Sequence, residues 1–335
     1  MAPTYQFTFD DIPDLSGKIA IVTGGNSGLG EVIARELARK NAKVYIAARS
    51  QARVTAAIAR IKQAIGTDEN LHYLETDLET MASAAQSATY FTKLETKLDI
   101  LVANAGLGAI KSELTPDGYE RNFGINHLGH FAFVMTLLPL LKLTAVQDPT
   151  SEVRIVIQSS QSYQQACLID YEDLTKTYKS IWHPLTLREM LGRYARSKLC
   201  NIYFMLELAD RLKDIPNIYV NATHPGLVYT HIFDLSTSPL PYYMQRIGEW
   251  HAWLCGIPVD HGAKTVLFCA ASKQIIDDDL KAKFLYPAPQ GPFGGFVYFS
   301  GVYPRELTAL GANRDESKKL WEFSERALSS ALSNN

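Results

Sequence analysis

The chain has 335 residues, 47% hydrophobic and 20% charged, and its 33 basic and 35 acidic side chains leave a formal charge of −2. That balance excludes an intrinsically disordered chain and leaves no basic footprint for nucleic acid. The longest apolar stretch, near Phe131–Leu143, carries Thr136 and falls short of the roughly 20 residues a membrane span needs, so no span is expected.

Met1–Asp14 has neither the basic n-region nor the apolar h-region of a signal peptide, and Leu332–Asn335 matches no address or lipidation signal. Cys167, Cys200, Cys255 and Cys269 have no metal-like spacing and read as small buried hydrophobes. A reducing, cytoplasmic compartment is the expectation.

The elements alternate along the chain. Ile19–Thr23 reads as a buried strand, followed by a glycine-rich turn and a helix through Lys40. Lys43–Ala47 is a second strand and Gln51–Ile65 a second helix. Leu71–Glu75 is a third strand, and a helix over Met81–Lys97 leads to a fourth at Leu98–Ala103. Val153–Ser159 and Tyr219–Thr223 follow, with a seventh strand at Phe296–Phe299. Strands separated by helices imply right-handed crossovers and a parallel α/β sheet covered on both faces. Length alone suggests two domains, but the rhythm continues past residue 220 without a linker, so one domain over 1–335 is expected. Its elaborations are an N-terminal arm (1–17), an insertion (163–192), a segment over the substrate (229–258) and a C-terminal extension (301–335).

Thr23-Gly24-Gly25-Asn26-Ser27-Gly28-Leu29-Gly30 closes the first strand and opens the first helix. Backbone can approach a pyrophosphate there without interference from Cβ atoms, and the helix N-terminus supplies free N–H groups. Residues 44–52 hold no acid to bond a ribose 2′-hydroxyl. They hold Arg49 and Ser50, with Arg53 a turn on, and a guanidinium suits a 2′-phosphate, so NADP(H) is expected over NAD(H). Asp77, after the third strand, is a candidate for the adenine amine and equally for a helix N-cap.

Tyr194 and Lys198 stand four apart, hence on one helical face, where an ammonium favours a phenolate. A Tyr-x-x-x-Lys spacing arises by chance in a chain with 17 tyrosines, so its weight comes from its neighbours. Ser159 and Ser160 follow the fifth strand, Asn104-Ala105-Gly106 ends the fourth, and Asn126 lies in the next helix. His224-Pro225-Gly226-Leu227 closes the sixth strand. All these strand ends belong to the carboxyl edge, where ligands of open α/β sheets bind.

The chain resembles the short-chain dehydrogenase/reductase family at Thr23–Gly30, Asp77, Asn104–Gly106, Asn126, Ser160, Tyr194, Lys198 and Pro225–Gly226, a set that spans nearly its whole length. The resemblance implies a Rossmann-type, doubly wound, seven-stranded parallel sheet of order 3-2-1-4-5-6-7. It also implies a catalytic group of Asn126, Ser160, Tyr194 and Lys198. Tyr194 would be the general acid/base and Ser160 would hold the substrate oxygen. Lys198 would lower the tyrosine pKa and bond the nicotinamide ribose, and Asn126 would hold a water relaying protons toward Lys198. Of the serine pair, the family usually uses the second. The cofactor contacts implied are Thr23, Gly24, Asn26, Ser27, Gly28, Leu29, Gly30, Arg49, Ser50, Asp77, Leu78, Asn104, Ala105, Gly106, Tyr194, Lys198, Pro225, Gly226, Val228 and Thr230, with no metal.

Within the family the chain is similar to the retinol-dehydrogenase-like branch and to fungal oxidoreductases. The residues are Leu15-Ser16-Gly17-Lys18, Asn126-His127-Leu128-Gly129-His130, His261-Gly262-Ala263-Lys264 and Lys319-Leu320-Trp321. His127 and His130 read as packing residues of an apolar helix. Two departures from the family pattern are aromatic: Tyr163, Tyr171, Tyr178 and Trp182 between Ser160 and Tyr194, and Phe233, Tyr242, Tyr243, Met244, Trp250 and Trp253 after the Pro-Gly turn. The second segment suggests a bulky hydrophobic substrate, of the secondary-metabolite, steroid or retinoid kind; the alternative is an oligomer or membrane-facing surface. The expected activity is NADP(H)-dependent interconversion of a carbonyl and an alcohol. Isomerisation, epimerisation or dehydration at the same site, and a non-catalytic cofactor-binding protein, are the alternatives. Homodimers and homotetramers are common in the family.

Overall fold

The structure, a computed structural model, describes residues 3–108, 112–147, 151–177, 185–226, 228, 257–290 and 298–333. Among the described residues, nine strands form one sheet. In chain order these are β1 (Tyr5–Gln6), β2 (Ile19–Thr23), β3 (Lys43–Ala48), β4 (Leu71–Glu75), β5 (Ile100–Ala103), β6 (Val153–Gln158), β7 (Ile218–Thr223), β8 (Phe284–Gln290) and β9 (Tyr298–Arg305). The spatial order is β4-β3-β2-β5-β6-β7-β8-β9-β1. The seven strands from β4 to β8 are parallel, while β9 and β1 extend the edge antiparallel. Every residue of β2, β5, β6 and β7 is buried, as expected for parallel strands covered by helices on both faces.

The seventh parallel strand differs from the expectation: it is Phe284–Gln290, and the segment expected to hold it ends in the antiparallel β9. Pro287 and Pro289 disguise β8, because proline cannot donate to a ladder. The structure accommodates Pro287 by geometry. Leu285 turns its carbonyl toward β7, accepting from His224 N–H at 2.9 Å. Pro287 has the same parity, and β7 has ended before its level is reached, so its missing N–H leaves no β7 carbonyl unpaired.

The helices are α1 (Gly28–Arg39), α2 (Gln51–Ile65), α3 (Met81–Leu94), α4 (Arg121–Gln147), α5 (Leu185–Arg211), α6 (Val259–Ala271), α7 (Gln274–Asp277) and α8 (Arg314–Ser333). Two apolar layers sandwich the sheet. One joins it to α1, α2 and α6, and takes in Tyr5, Phe7, Ile12 and Leu15 of the N-terminal arm. Tyr5 and Phe7 both pack on Phe268. The other layer joins the sheet to α3, α4 and α5, with Leu320, Trp321 and Ala327 of α8. Helix α4 is long and apolar enough to cross a membrane, yet it lies in this core with Phe131, Phe133, Val134, Leu137 and Leu141 fully buried. Within it, Gly124–Gly129 forms a π-helical segment, a distortion often found at functional sites.

Candidate active site

A cleft of about 1320 Å³ runs along the carboxyl edge of the parallel strands. It is lined by the expected residues Gly24, 26–30, Arg49, Ser50, Asp77, Leu78, 104–106, Ser160, Tyr194, Lys198, Pro225, Gly226 and Val228. Thr23 and Asn126, both fully buried, are absent from that lining. Thr230, Tyr178, Trp182 and the aromatic segment from Phe233 to Trp253 lie outside the described residues.

At the β2–α1 turn, Ser27 caps α1 without a side-chain bond to the first turn, leaving those N–H groups to a ligand. A Cβ on Gly30 would sit 2.3 Å from Gly24 O and 2.8 Å from Asn104 Nδ2, so only glycine allows this closure. These residues fit a pyrophosphate: the cradle is bare backbone at a helix N-terminus beside the β2/β5 switch point. Gly30→Ala should destabilise the fold by about 1–3 kcal/mol and weaken dinucleotide binding severely. Denaturant unfolding and a cofactor fluorescence titration would show it, and wild-type affinity would contradict the fit.

Thr23, at the end of β2, organises the next strand end. Its Oγ1 accepts from Asn104 N–H and Ala105 N–H, each at 2.9 Å, and Asn104 Nδ2 donates to Thr23 O at 2.9 Å. Its proton has two acceptors in reach, His130 Nε2 at 3.0 Å and Val102 O at 3.4 Å, and with both lone pairs of Oγ1 engaged the ring nitrogen cannot donate to it. His130 is therefore the Nδ1–H tautomer and donates to Asn126 O at 3.2 Å. Burial pushes its pKa down to about 4 and keeps the ring neutral. Asn126 Oδ1 accepts from Leu107 N–H at 2.7 Å, and its Nδ2 donates to Leu107 O and Ser197 Oγ, each at 3.0 Å. The same counting assigns His127. Ser324 Oγ gives its proton to Leu320 O, so His127 Nε2–H donates to Ser324 at 2.9 Å and ties α4 to α8. Both histidines are buried, and each carries a specific polar bond beyond packing.

The two serines after β6 separate by environment. Ser159 is buried and donates to Lys198 O at 2.7 Å, which spends its hydroxyl on holding α5. Ser160 opens into the cleft beside Tyr194 and accepts from Ser162 N–H at 3.2 Å. Burial raises the Tyr194 pKa, and the nearby Ser160 hydroxyl opposes the rise. Lys198 Nζ lies 5.7 Å from the Tyr194 ring centroid and donates to Gln158 O at 3.3 Å. Lys198 is 2% exposed, and burial pushes its pKa down to about 8. A Cβ on Gly106 would stand 3.1 Å from Asn126 Oδ1 and 3.5 Å from Lys198 Nζ, so that glycine brings the strand end against both.

Arg49, with its side chain 61% exposed, Ser50, Arg53, Asp77 and Leu78 line the far end of the cleft. Asp77 does not cap α3. Its Oδ1 accepts from Glu79 N–H at 2.9 Å, while Thr80 caps the helix and Asp117 accepts from Met81 N–H.

Tyr163 and Tyr171 face the interior. Tyr163 packs on Phe284 and its hydroxyl accepts from Thr308 N–H at 3.1 Å; Tyr171 packs on Phe323. The C-terminal extension therefore braces the turn that carries Ser160. Asp173 and Leu174 of the insertion meet a buried ionic cluster. Glu120 caps the start of α4 through Asn122 N–H (2.9 Å) and Phe123 N–H (3.2 Å), and Glu120 N–H donates to Leu174 O at 2.7 Å. Arg193 and Arg196, on either side of Tyr194, lie 3.7 and 4.0 Å from the Glu120 carboxylate, and Arg196 also binds Asp173. His130, Ser197, Gln158, Glu79 and Arg121 were not expected at the site. Their types are common, and their partners are distant in sequence.

The sheet order and the glycine loop at its switch point are those of a dinucleotide-binding fold of the short-chain dehydrogenase type. The chain belongs to the short-chain dehydrogenase/reductase family, whose model, described as short chain dehydrogenase, matches residues 18–168. It is an oxidoreductase of that family, which binds a nicotinamide cofactor and a small-molecule substrate. It is 36% identical to an uncharacterized oxidoreductase of Schizosaccharomyces pombe over 288 residues, 84% of this chain and 80% of that protein. Mouse (Mus musculus) retinol dehydrogenase 14 is 32% identical over 322 residues, covering 93% of this chain and 86% of its own, and the chain is a retinol-dehydrogenase-like member. A crystal structure of an uncharacterized protein from Mycobacterium paratuberculosis superposes with a TM-score of 0.70 at 27% identity, covering 97% of this chain and 98% of that one.

Proposed function

We propose that the protein is an NADP(H)-dependent oxidoreductase that interconverts a ketone or aldehyde and an alcohol on a bulky, hydrophobic small molecule, with Tyr194 as general acid/base. The observation that carries this reading is the Ser160–Tyr194 hydroxyl pair opening into the cleft, with buried Lys198 beside the ring. When bound, the nicotinamide supplies or accepts the hydride. In the reductive direction the substrate oxygen accepts from Ser160 and Tyr194, and the Tyr194 proton passes to that oxygen as the carbon gains the hydride. Lys198 would then return a proton toward Tyr194, and Asn126 would hold the water that resupplies Lys198. Asn104–Gly106 and the N-terminus of α1 would hold the nicotinamide and pyrophosphate halves, and Arg49, Ser50 and Arg53 would grip a 2′-phosphate. Leu107, Ile125 and Leu191 give the cleft apolar wall, and a relative named for retinol points to a lipophilic substrate.

The test is a cofactor titration with a substrate screen. NADPH should bind about tenfold more tightly than NADH, the value of one charge-assisted contact. Lipophilic carbonyls such as all-trans-retinal should outpace small polar ones. A preference for small polar carbonyls would overturn the substrate reading, and tighter NADH binding the cofactor reading.

A further inference from the structure

The far end of the cleft carries a charge arrangement that bears on the choice between the two nicotinamide dinucleotides, and the inference drawn from it rests on the NADP(H) reading above. Arg49 Nη1 reaches Glu79 Oε2 at 3.3 Å. The Glu79 carboxylate is fixed from the other side by Arg121, with Nε 2.8 Å from Oε1 and Nη2 3.2 Å from Oε2. Arg121 is itself fixed by Glu113, with Nη1 2.8 Å from Oε2. The Glu79 backbone is pinned as well, by its N–H bond to Asp77 Oδ1 at 2.9 Å. Exposure follows the same asymmetry: 18% for the Glu79 side chain and 61% for that of Arg49. Glu79 is thus anchored at both ends, whereas Arg49 is a long side chain on one shared contact. Arg49, Glu79 and Arg121 all line the cleft.

We infer that Glu79 is a specificity-determining residue: a fixed counter-charge that holds Arg49 at the adenosine end of the cleft and that a 2′-phosphate must outcompete. The exchange is balanced on both sides. When Arg49 turns to a phosphate, Glu79 keeps its two bonds to Arg121 and no carboxylate is left unpaired. When the dinucleotide lacks that phosphate, Arg49 keeps Glu79, and its guanidinium stays paired. Glu79 therefore narrows the gap between NADP(H) and NAD(H) that Arg49 alone would set. Its carboxylate also repels the phosphate directly, and the experiment separates that effect from the hold on Arg49.

NADPH and NADH are titrated by fluorescence into the full-length wild type, Glu79→Gln, Arg49→Met and the double variant. Glu79→Gln should tighten NADPH by about two- to fivefold, the range for an exposed ion pair, and leave NADH within about twofold. The gain should shrink at about 1 M salt and vanish in the Arg49→Met background. Unchanged NADPH affinity, equal tightening of both dinucleotides, or a gain that survives Arg49→Met would overturn the inference. A wild type that favours NADH would overturn the cofactor reading alone, because the shift caused by Glu79→Gln is read as a ratio. Thermal melting checks each fold. If Glu79→Gln unfolds, Glu79→Asp, which keeps the charge but withdraws it from Arg49, should give the same direction of change.

Discussion

Tyr194→Phe should abolish turnover while leaving NADPH affinity within about twofold of wild type and the melting temperature nearly unchanged. The substitution removes one oxygen and keeps the ring that packs beside Lys198. Ser160 keeps the bond it accepts from Ser162 N–H, so no new buried polar atom is stranded. A positioned proton donor is worth about 10²–10⁴ in rate. Turnover should fall by at least that range at saturating cofactor, in single-turnover as well as steady-state assays. Retained turnover would remove Tyr194 as the proton donor. Loss of turnover together with NADPH binding would instead point to damage at the cofactor site.

Lys198→Met should make the protein more stable and inactive. The ammonium is buried, and its pKa is pushed down to about 8 by desolvation. Protonation is therefore less favourable in the folded state than in the unfolded state. Between about pH 8 and the ordinary lysine value, the unfolded chain binds more protons, so stability rises with pH across that window. Below about pH 8 the full penalty applies, on the order of 3 kcal/mol. Methionine of similar length removes it at the loss of the 3.3 Å bond to Gln158 O, worth about 1 kcal/mol. Denaturant unfolding at pH 7 should show a net gain of about 2 kcal/mol, and that gain should shrink by about pH 9.5, where the wild-type lysine is neutral. A variant less stable than wild type at both pH values would show that Lys198 is held by compensating interactions. Stability given up for a charged group in a cleft is a familiar cost of function.

Much of this architecture was legible in the sequence because its signals are local. The glycine run sits between a strand and a helix, Tyr194 and Lys198 are one helical turn apart, and the other expected cleft residues follow strand ends. The seventh strand was misplaced because Pro287 and Pro289 mark a non-strand, and only the ladder shows that β7 ends below Pro287. In the sequence the histidines look like packing residues because their partners are far away in the chain. His130 meets Thr23 across 107 positions, and His127 meets Ser324 across 197. No periodicity carries such information. The Arg49–Glu79–Arg121 chain is hidden for the same reason: each charge looks like a solvated surface residue until the strand ends converge. The aromatic residues divide: Tyr163 and Tyr171 brace the interior, while those from Phe233 to Trp253 lie outside the described residues.

In the proposed reaction this site moves a hydride to a carbonyl carbon while Tyr194 handles the proton. Reduction of a lipophilic ketone or aldehyde with NADPH deuterated at nicotinamide C4, followed by mass spectrometry of the alcohol, tests it most directly. Using each of the two C4 epimers in turn, one should deliver a single deuterium to the carbinol carbon in step with cofactor oxidation, and the other none. Product formed without deuterium from either epimer, or without consumption of NADPH, would contradict the claim and favour a non-redox reaction at the same residues.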